Sequence, residues 1–192
     1  MKAKLAPWLK ETRGSSGETV FKQVNGETIM SSKPSKRKTP YSPDEIEVQE
    51  RFLDARDYAK DVKLDPALLA LYKEAAEAAG KSVYMLCRDD WYKPPRISRL
   101  EISDYNGQVG DVITFKVRDA IGAKKAIVTL SDDEEGTLIE KGLAALQIEG
   151  TTKWTYTATK PVQAGMTVRV QVQAYDYPGN MTEKTDTKKV YE

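Results

Sequence analysis

The residues that could do chemistry are few and poorly spaced for it. The 192-residue chain contains no histidine. That removes the commonest general base, the usual zinc ligand, and every Ser-His or Cys-His nucleophile pair. Its one cysteine, Cys87, can form neither an internal disulfide nor a structural zinc site. Beside Leu86 on a helical pattern it reads as a small packing residue. The acidic run Asp132-Asp133-Glu134-Glu135-Gly136 lacks the alternating ligands and distal bidentate Glu of a calcium loop, so it reads as an acidic turn, with weak calcium binding as the alternative. Asp89-Asp90, next to Trp91, reads as a helix end, with a contact patch as the alternative. Asp176 lies between Tyr175 and Tyr177, just before Pro178-Gly179-Asn180, where an aspartate hydrogen-bonds the amides of its own turn. Gly14-Ser15-Ser16-Gly17 lacks the ending of a phosphate loop and precedes a strand pattern instead of a helix. No carboxylate pair stands at a spacing suited to acid–base work. The expectation is no catalytic, cofactor-binding or metal-binding residue, no evident small-molecule substrate, and a protein that is not an enzyme.

Charge gives a stronger signal. The balance is near neutral, 30 basic against 29 acidic residues, but residues 1–40 hold nine Lys/Arg and three Asp/Glu. That net of +6 leaves −5 for residues 41–192. A basic arm on an acidic body suggests an anionic partner: nucleic acid, a membrane surface, or an acidic protein face. The candidate contacts are Lys10, Arg13, Lys22, Lys33, Lys36, Arg37 and Lys38. No recognition helix and no aromatic platform accompanies them, so nucleic-acid binding through them would be sequence-independent. Trp8, Tyr175 and Tyr177 are candidate interface aromatics, a class enriched at interface centres. Trp91 reads as local packing.

Those residues need elements to position them. Val20 to Val24 and Thr28 to Met30 flank Asn25-Gly26, with Glu27 completing the turn, the pattern of a β-hairpin with a type I′ turn. Ser31 to Tyr41, with KPSKRKTP, reads as an extended connector. Ser42-Pro43-Asp44-Glu45 predicts a helix start, with Ser as N-cap and Pro at the first helical position. Val48, Phe52, Ala55, Ala59 and Val62 then recur on one helical face. Asp65-Pro66 restarts the pattern with Leu68, Tyr72, Ala75 and Ala79, and Gly80 sits at the expected left-handed cap. Ser82 caps a third helix that ends at Pro94-Pro95. From Ile97 the hydrophobic period becomes two: Ile113/Phe115/Val117, Ala126/Val128/Leu130, Trp154/Tyr156/Ala158 and Val168/Val170/Val172/Ala174. Six or seven such strands in about 95 residues predict a two-sheet sandwich. The expected fold class is α+β in two parts. A basic arm and hairpin occupies 1–41 and a helical region 42–93, followed by an immunoglobulin-like sandwich over 97–192.

Ala174-Tyr175-Asp176-Tyr177-Pro178-Gly179-Asn180 resembles the A-x-D-x-x-G-N signature of many bacterial immunoglobulin-like domains. The resemblance implies that the Asp and Asn are structural loop residues and that the module adheres, spaces or assembles. The whole chain also resembles a group of uncharacterised bacterial proteins. Their shared pattern runs from a basic hairpin (Gly17 to Met30, then Lys33-Pro34) through Gly80-Lys81-Ser82 to a sandwich carrying Thr137-Leu138-Ile139-Glu140-Lys141-Gly142. It implies the architecture and no catalytic residue.

The expected function is non-enzymatic interaction or assembly, with the sandwich as platform and the basic arm docking on a protein partner or another copy. The alternatives are a sequence-independent nucleic-acid-binding accessory protein and a virion or secretion-apparatus component. No segment reaches the roughly 20 apolar residues that span a bilayer, and MKAKLAPWLKETRG has no apolar run of signal-peptide length. The expected location is therefore cytoplasmic or within an assembled particle.

Overall fold

The structure, a computed structural model, describes residues 12–24, 26–148 and 150–191. Among these residues it combines three helices with antiparallel sheets, and it divides into two compact units, 1–46 and 47–192. Among the described helices none is long and apolar enough to cross a membrane.

The first unit holds β1 (Gly14–Ser16), β2 (Thr19–Val24) and β3 (Glu27–Ser32), a three-stranded sheet in that order. Phe21 pairs with Met30 and Lys22 with Ile29. Directly opposed residues share a face, so Phe21 and Met30 stand on one side while Val20, Val24 and Ile29 stand on the other. Gly26 supplies the positive φ of +79° that the β2–β3 turn needs; Asn25 and the turn geometry it would set lie outside the described residues. No described residue of this unit is buried. Its last residues begin α1 (Pro43–Leu64) through a reciprocal cap. The Ser42 amide donates to Glu45 Oε2 at 2.9 Å, and the Glu45 amide donates to Ser42 Oγ at 3.3 Å.

In the second unit α1 continues into α2 (Pro66–Ala78) and α3 (Val83–Tyr92). Asp65 Oδ1 accepts from the amides of Ala67 and Leu68 at 3.0 and 3.1 Å. Gly80, at φ +63°, ends α2 in a Schellman cap: Lys81 donates to the Ala76 carbonyl at 2.9 Å and Gly80 to the Glu77 carbonyl at 3.1 Å. Ser82 Oγ accepts from the Met85 amide at 3.2 Å and caps α3. Ala59, Val62, Tyr72, Ala76, Leu86 and Cys87 form the helical core. The apolar stripe expected along all of α1 is covered only in its second half. Ala55, Ala59 and Val62 are buried, whereas Val48 and Phe52 are 64% and 44% exposed. The cause is length: 22 residues extend about 33 Å, and the 13 residues of α2 about 20 Å.

Two four-stranded sheets follow. One has the order β11-β10-β6-β7 and the other β4-β5-β9-β8. They comprise β4 (Arg96–Glu101), β5 (Val112–Arg118), β6 (Lys125–Asp132), β7 (Leu138–Leu143), β8 (Ala145–Leu146), β9 (Lys153–Thr157), β10 (Thr167–Tyr175) and β11 (Met181–Lys189). The alternating residues named above meet in one core: Ile113, Phe115 and Val117 of one sheet pack with Val128, Leu130, Val168, Val170 and Val172 of the other. The polar strand β11 pairs along all nine residues of β10, from Thr167↔Lys189 to Tyr175↔Met181. As an edge strand rich in lysine it resists pairing with other chains. Arg99, at φ +49°, marks the irregularity between Ser98 and Glu101 in β4. The division at 46/47 places most of the helical region and both sheets in one body.

Candidate functional site

Three aspartates far apart in sequence converge in the second unit: Asp90 on α3, Asp119 just beyond β5, and Asp176 just beyond β10. The topology brings them together. β10 runs antiparallel to β6 with Tyr175 opposite Lys125, so the end of β10 and the start of β6 lie at one end of the sheet. The loop carrying Asp119 leads into that same start. One carboxylate oxygen from each aspartate lies within 4.8 Å of the others.

Two of the carboxylates are gripped from behind. Tyr72 donates its hydroxyl to Asp90 Oδ2, and the Tyr58 and Tyr72 hydroxyl oxygens are 2.8 Å apart. Trp91 packs on Tyr58, ring centroids 5.4 Å apart, which accounts for that tryptophan as local packing. Asp176 Oδ1 accepts from the amides of Gly179 and Asn180 at 2.8 and 2.6 Å, the turn-closing role its sequence context predicts. Asn180 Nδ2 donates to Asp176 Oδ2 at 2.8 Å and to the Trp91 carbonyl at 3.2 Å. That amide ties the β10–β11 turn to the end of α3.

The opposite oxygens are left over. Asp90 is 1% exposed, and its Oδ1, like Asp119 Oδ2, is buried without a hydrogen-bond partner. No ion pair among the described residues reaches any of the three acids; the neighbouring Asp89 takes Lys81, at 2.7 Å. Burial raises the proton affinity of all three; repulsion from neighbouring acids adds to it at Asp90 and Asp119, and burial outweighs the hydrogen bonds that Asp90 receives from Tyr72 and Asp176 from its own turn. Burial beside Asp90 likewise pushes the Cys87 thiol up to about 11, which keeps it unreactive. A cleft of about 440 Å³, lined by Lys81, Lys93, Arg118 and Ala120, reaches Asp90 and Asp119. Asp90, Asp119 and Asp176 are the residues here that could hold a metal ion.

A pH dependence follows from the raised carboxyl of Asp90. In the folded chain it keeps its proton above the ordinary value of 3.8, up to about 7. Folding therefore takes up a proton between those limits, and the associated stability is full below about 4 and lost as pH rises through about 7. With chelator present, the unfolding free energy from urea titration should fall between pH 4.5 and 8 by on the order of 2 kcal/mol. Asp90→Asn keeps an acceptor for Tyr72 and cannot ionise, so its profile should be flatter and its stability above pH 8 higher than wild type. A wild-type profile that rises across this window would contradict the assignment.

The residues singled out by sequence are dispersed. Lys10 and Trp8 lie outside the described residues. Arg13, Lys22, Lys33, Lys36 and Lys38 are exposed. Arg37 is committed to its own unit: it forks onto Glu45 at 2.8 and 2.7 Å, and its guanidinium lies 4.3 Å from the Tyr41 ring centroid. The same fork holds the Glu45 carboxyl down at about 2. Tyr175 and Tyr177 are half-buried, and Lys125 covers the Tyr175 ring at 4.7 Å. In the acidic run, Asp132 Oδ1 accepts from the Glu134 and Glu135 amides at 2.8 and 3.3 Å, and Asp133 pairs with Arg169 at 2.8 Å. Asp89-Asp90 is more than a helix end, since Asp90 faces inward to the acidic trio. Only a count of the acids adjoining strand ends could have hinted at that.

The chain matches no protein-family model and no curated protein. Among solved structures it is similar to CopC from Methylosinus trichosporium OB3b, with 15% identity over 50% of this chain and 93% of that one, at a TM-score of 0.38. It is also similar to an engineered protein, with 18% identity over 52% of this chain and 19% of that one, at a TM-score of 0.29. Both likenesses are remote.

Proposed function

We propose that this chain is a non-enzymatic interaction protein that associates with further copies of itself, the basic N-terminal arm of one copy docking on an acidic surface of the next. The sandwich is the platform, and we infer that it is immunoglobulin-like. The orders β4-β5-β9-β8 and β11-β10-β6-β7 correspond to the A-B-E-D and G-F-C-C′ sheets of such domains. This supports membership among bacterial immunoglobulin-like modules.

One observation carries the reading: the N-terminal sheet has apolar residues on both faces and no core of its own. Ile29 and Met30 are 47% and 56% exposed. So small a sheet is marginal in water and gains stability from a surface to lie on. The uncovered stripe of α1, Val48 and Phe52, offers an apolar surface flanked by Glu47, Glu50 and Asp54. Its charge complements Lys33, Lys36 and Lys38 of a neighbouring copy. Head-to-tail contacts of this kind close into rings or extend as filaments.

Sedimentation velocity is the test. The full chain should self-associate at about 50 mM salt and dissociate at about 500 mM, because exposed charges are screened. Val48→Asp with Phe52→Asp, both on exposed positions, should leave circular dichroism unchanged and the protein monomeric. A wild-type monomer at high concentration and low salt would overturn self-association. A salt-sensitive shift of random duplex DNA by that monomer would assign the arm to nucleic acid instead.

A further inference from the structure

We propose that Asp90, Asp119 and Asp176 bind a divalent calcium ion that fastens α3 to the two loops at this end of the sandwich. The reading stands independently of self-association. All three donors are carboxylate oxygens, the ligand type hard cations select, and no histidine or cysteine joins the set. Their spread of at most 4.8 Å lets all three reach one ion, because ligands at about 2.4 Å from calcium stand no more than about 4.8 Å apart.

The second observation is the stranded oxygen. Asp90, a side chain that is 99% buried, holds its Oδ1 within the trio without a donor, and the half-buried Asp119 holds its Oδ2 likewise. Buried polar atoms without partners are rare, and each one calls for an explanation. Beside these two atoms the second oxygen of Asp90 is fixed by Tyr72, and both oxygens of Asp176 by Gly179 and Asn180. Such outer hydrogen bonds orient metal ligands before the ion arrives. The cleft along Lys93 and Arg118 gives the ion a way in and supplies waters for its remaining positions. A proton shared between Asp90 and Asp119 is the competing occupant, and the two make opposite predictions about added calcium.

Thermal unfolding of the full chain at pH 7.5 separates them. With chelator removed, calcium should raise the Tm by roughly 5–10 °C at 100 times its Kd, with a one-to-one stoichiometry in calorimetric titration. Bound terbium should luminesce on excitation of the nearby Trp91 and Tyr72. Asp119→Asn removes a ligand while leaving the Tyr72 and Asn180 hydrogen bonds in place, and should abolish both the calcium shift and the terbium signal. Asp133→Asn in the acidic turn should keep them. Magnesium should act at much higher concentration only. A wild-type Tm unmoved by millimolar calcium, which is the shared-proton result, overturns the proposal. So does a shift that survives Asp119→Asn, or one that Asp133→Asn removes, because the ion then sits elsewhere.

Discussion

Replacing Phe115 by alanine should destabilise the 47–192 unit by about 3–5 kcal/mol, the cost of deleting a large buried ring and leaving an unrelaxed cavity. Phe115 is 1% exposed, sits in the middle of β5 opposite Trp154 of β9, and faces the valines of β6 and β10. Strands pinned on both sides by ladder hydrogen bonds have little freedom to close over the gap. Urea unfolding checks the magnitude, with the midpoint falling and the slope unchanged. A second readout matters as much. Because α2, α3 and both sheets belong to one compact unit, helical circular dichroism and Trp154 fluorescence should be lost in a single coincident transition at the lowered midpoint. Helices that outlast the sheets would show that the two cores fold separately.

Asp176→Ala should cost about 3 kcal/mol, almost as much as the core substitution, although it deletes only a carboxylate. Three donors lose their acceptor at once: the Gly179 amide, the Asn180 amide and Asn180 Nδ2. Stranding buried donors costs about 1–3 kcal/mol each. Two effects oppose the loss. Removing one negative charge relieves Asp90 and Asp119, and the exposed side of the turn lets water reach Gly179. The net estimate is therefore below the sum. Asp176→Asn should be milder, since its carbonyl still accepts from the two amides. Denaturation at pH 7.5 in chelator measures both; a loss under about 1 kcal/mol for alanine would mean the turn holds without its aspartate.

The contrast between Asp176→Ala and Asp90→Asn captures how the trio works. Asp176 is satisfied by its own turn, so its removal leaves donors bare. Asp90 receives one hydroxyl at Oδ2 and nothing at Oδ1, so neutralising it relieves an unmet charge. Three like carboxylates in one place are a strain on the metal-free fold, and a bound divalent cation would turn that strain into stabilisation.

Much of the local structure was written in short stretches of residues. Alternation at Ile113/Phe115/Val117 and Val168/Val170/Val172 set which faces are buried, because a strand turns its side chains over every second residue. Ser42, Asp65, Ser82 and Gly80 placed the helix ends, because a cap involves only the next few amides. The turn role of Asp176 was legible for the same reason. Other features depended on pairs the chain brings together from afar. Asp90, Asp119 and Asp176 meet only because β10 pairs with β6 in one register and α3 docks beside that end. A shift of one residue would turn every side chain to the opposite face. The stripe on α1 was readable as a stripe, but which half of it is covered depended on how far the shorter α2 reaches. The fork of Arg37 onto Glu45, which withdraws that cation from the basic arm, likewise required the connector to fold back on the helix start. Local periodicity and capping are short-range steric and hydrogen-bonding rules that a sequence states directly. The company kept by a buried charge is settled by sheet register and helix docking, which arise only when the whole unit packs.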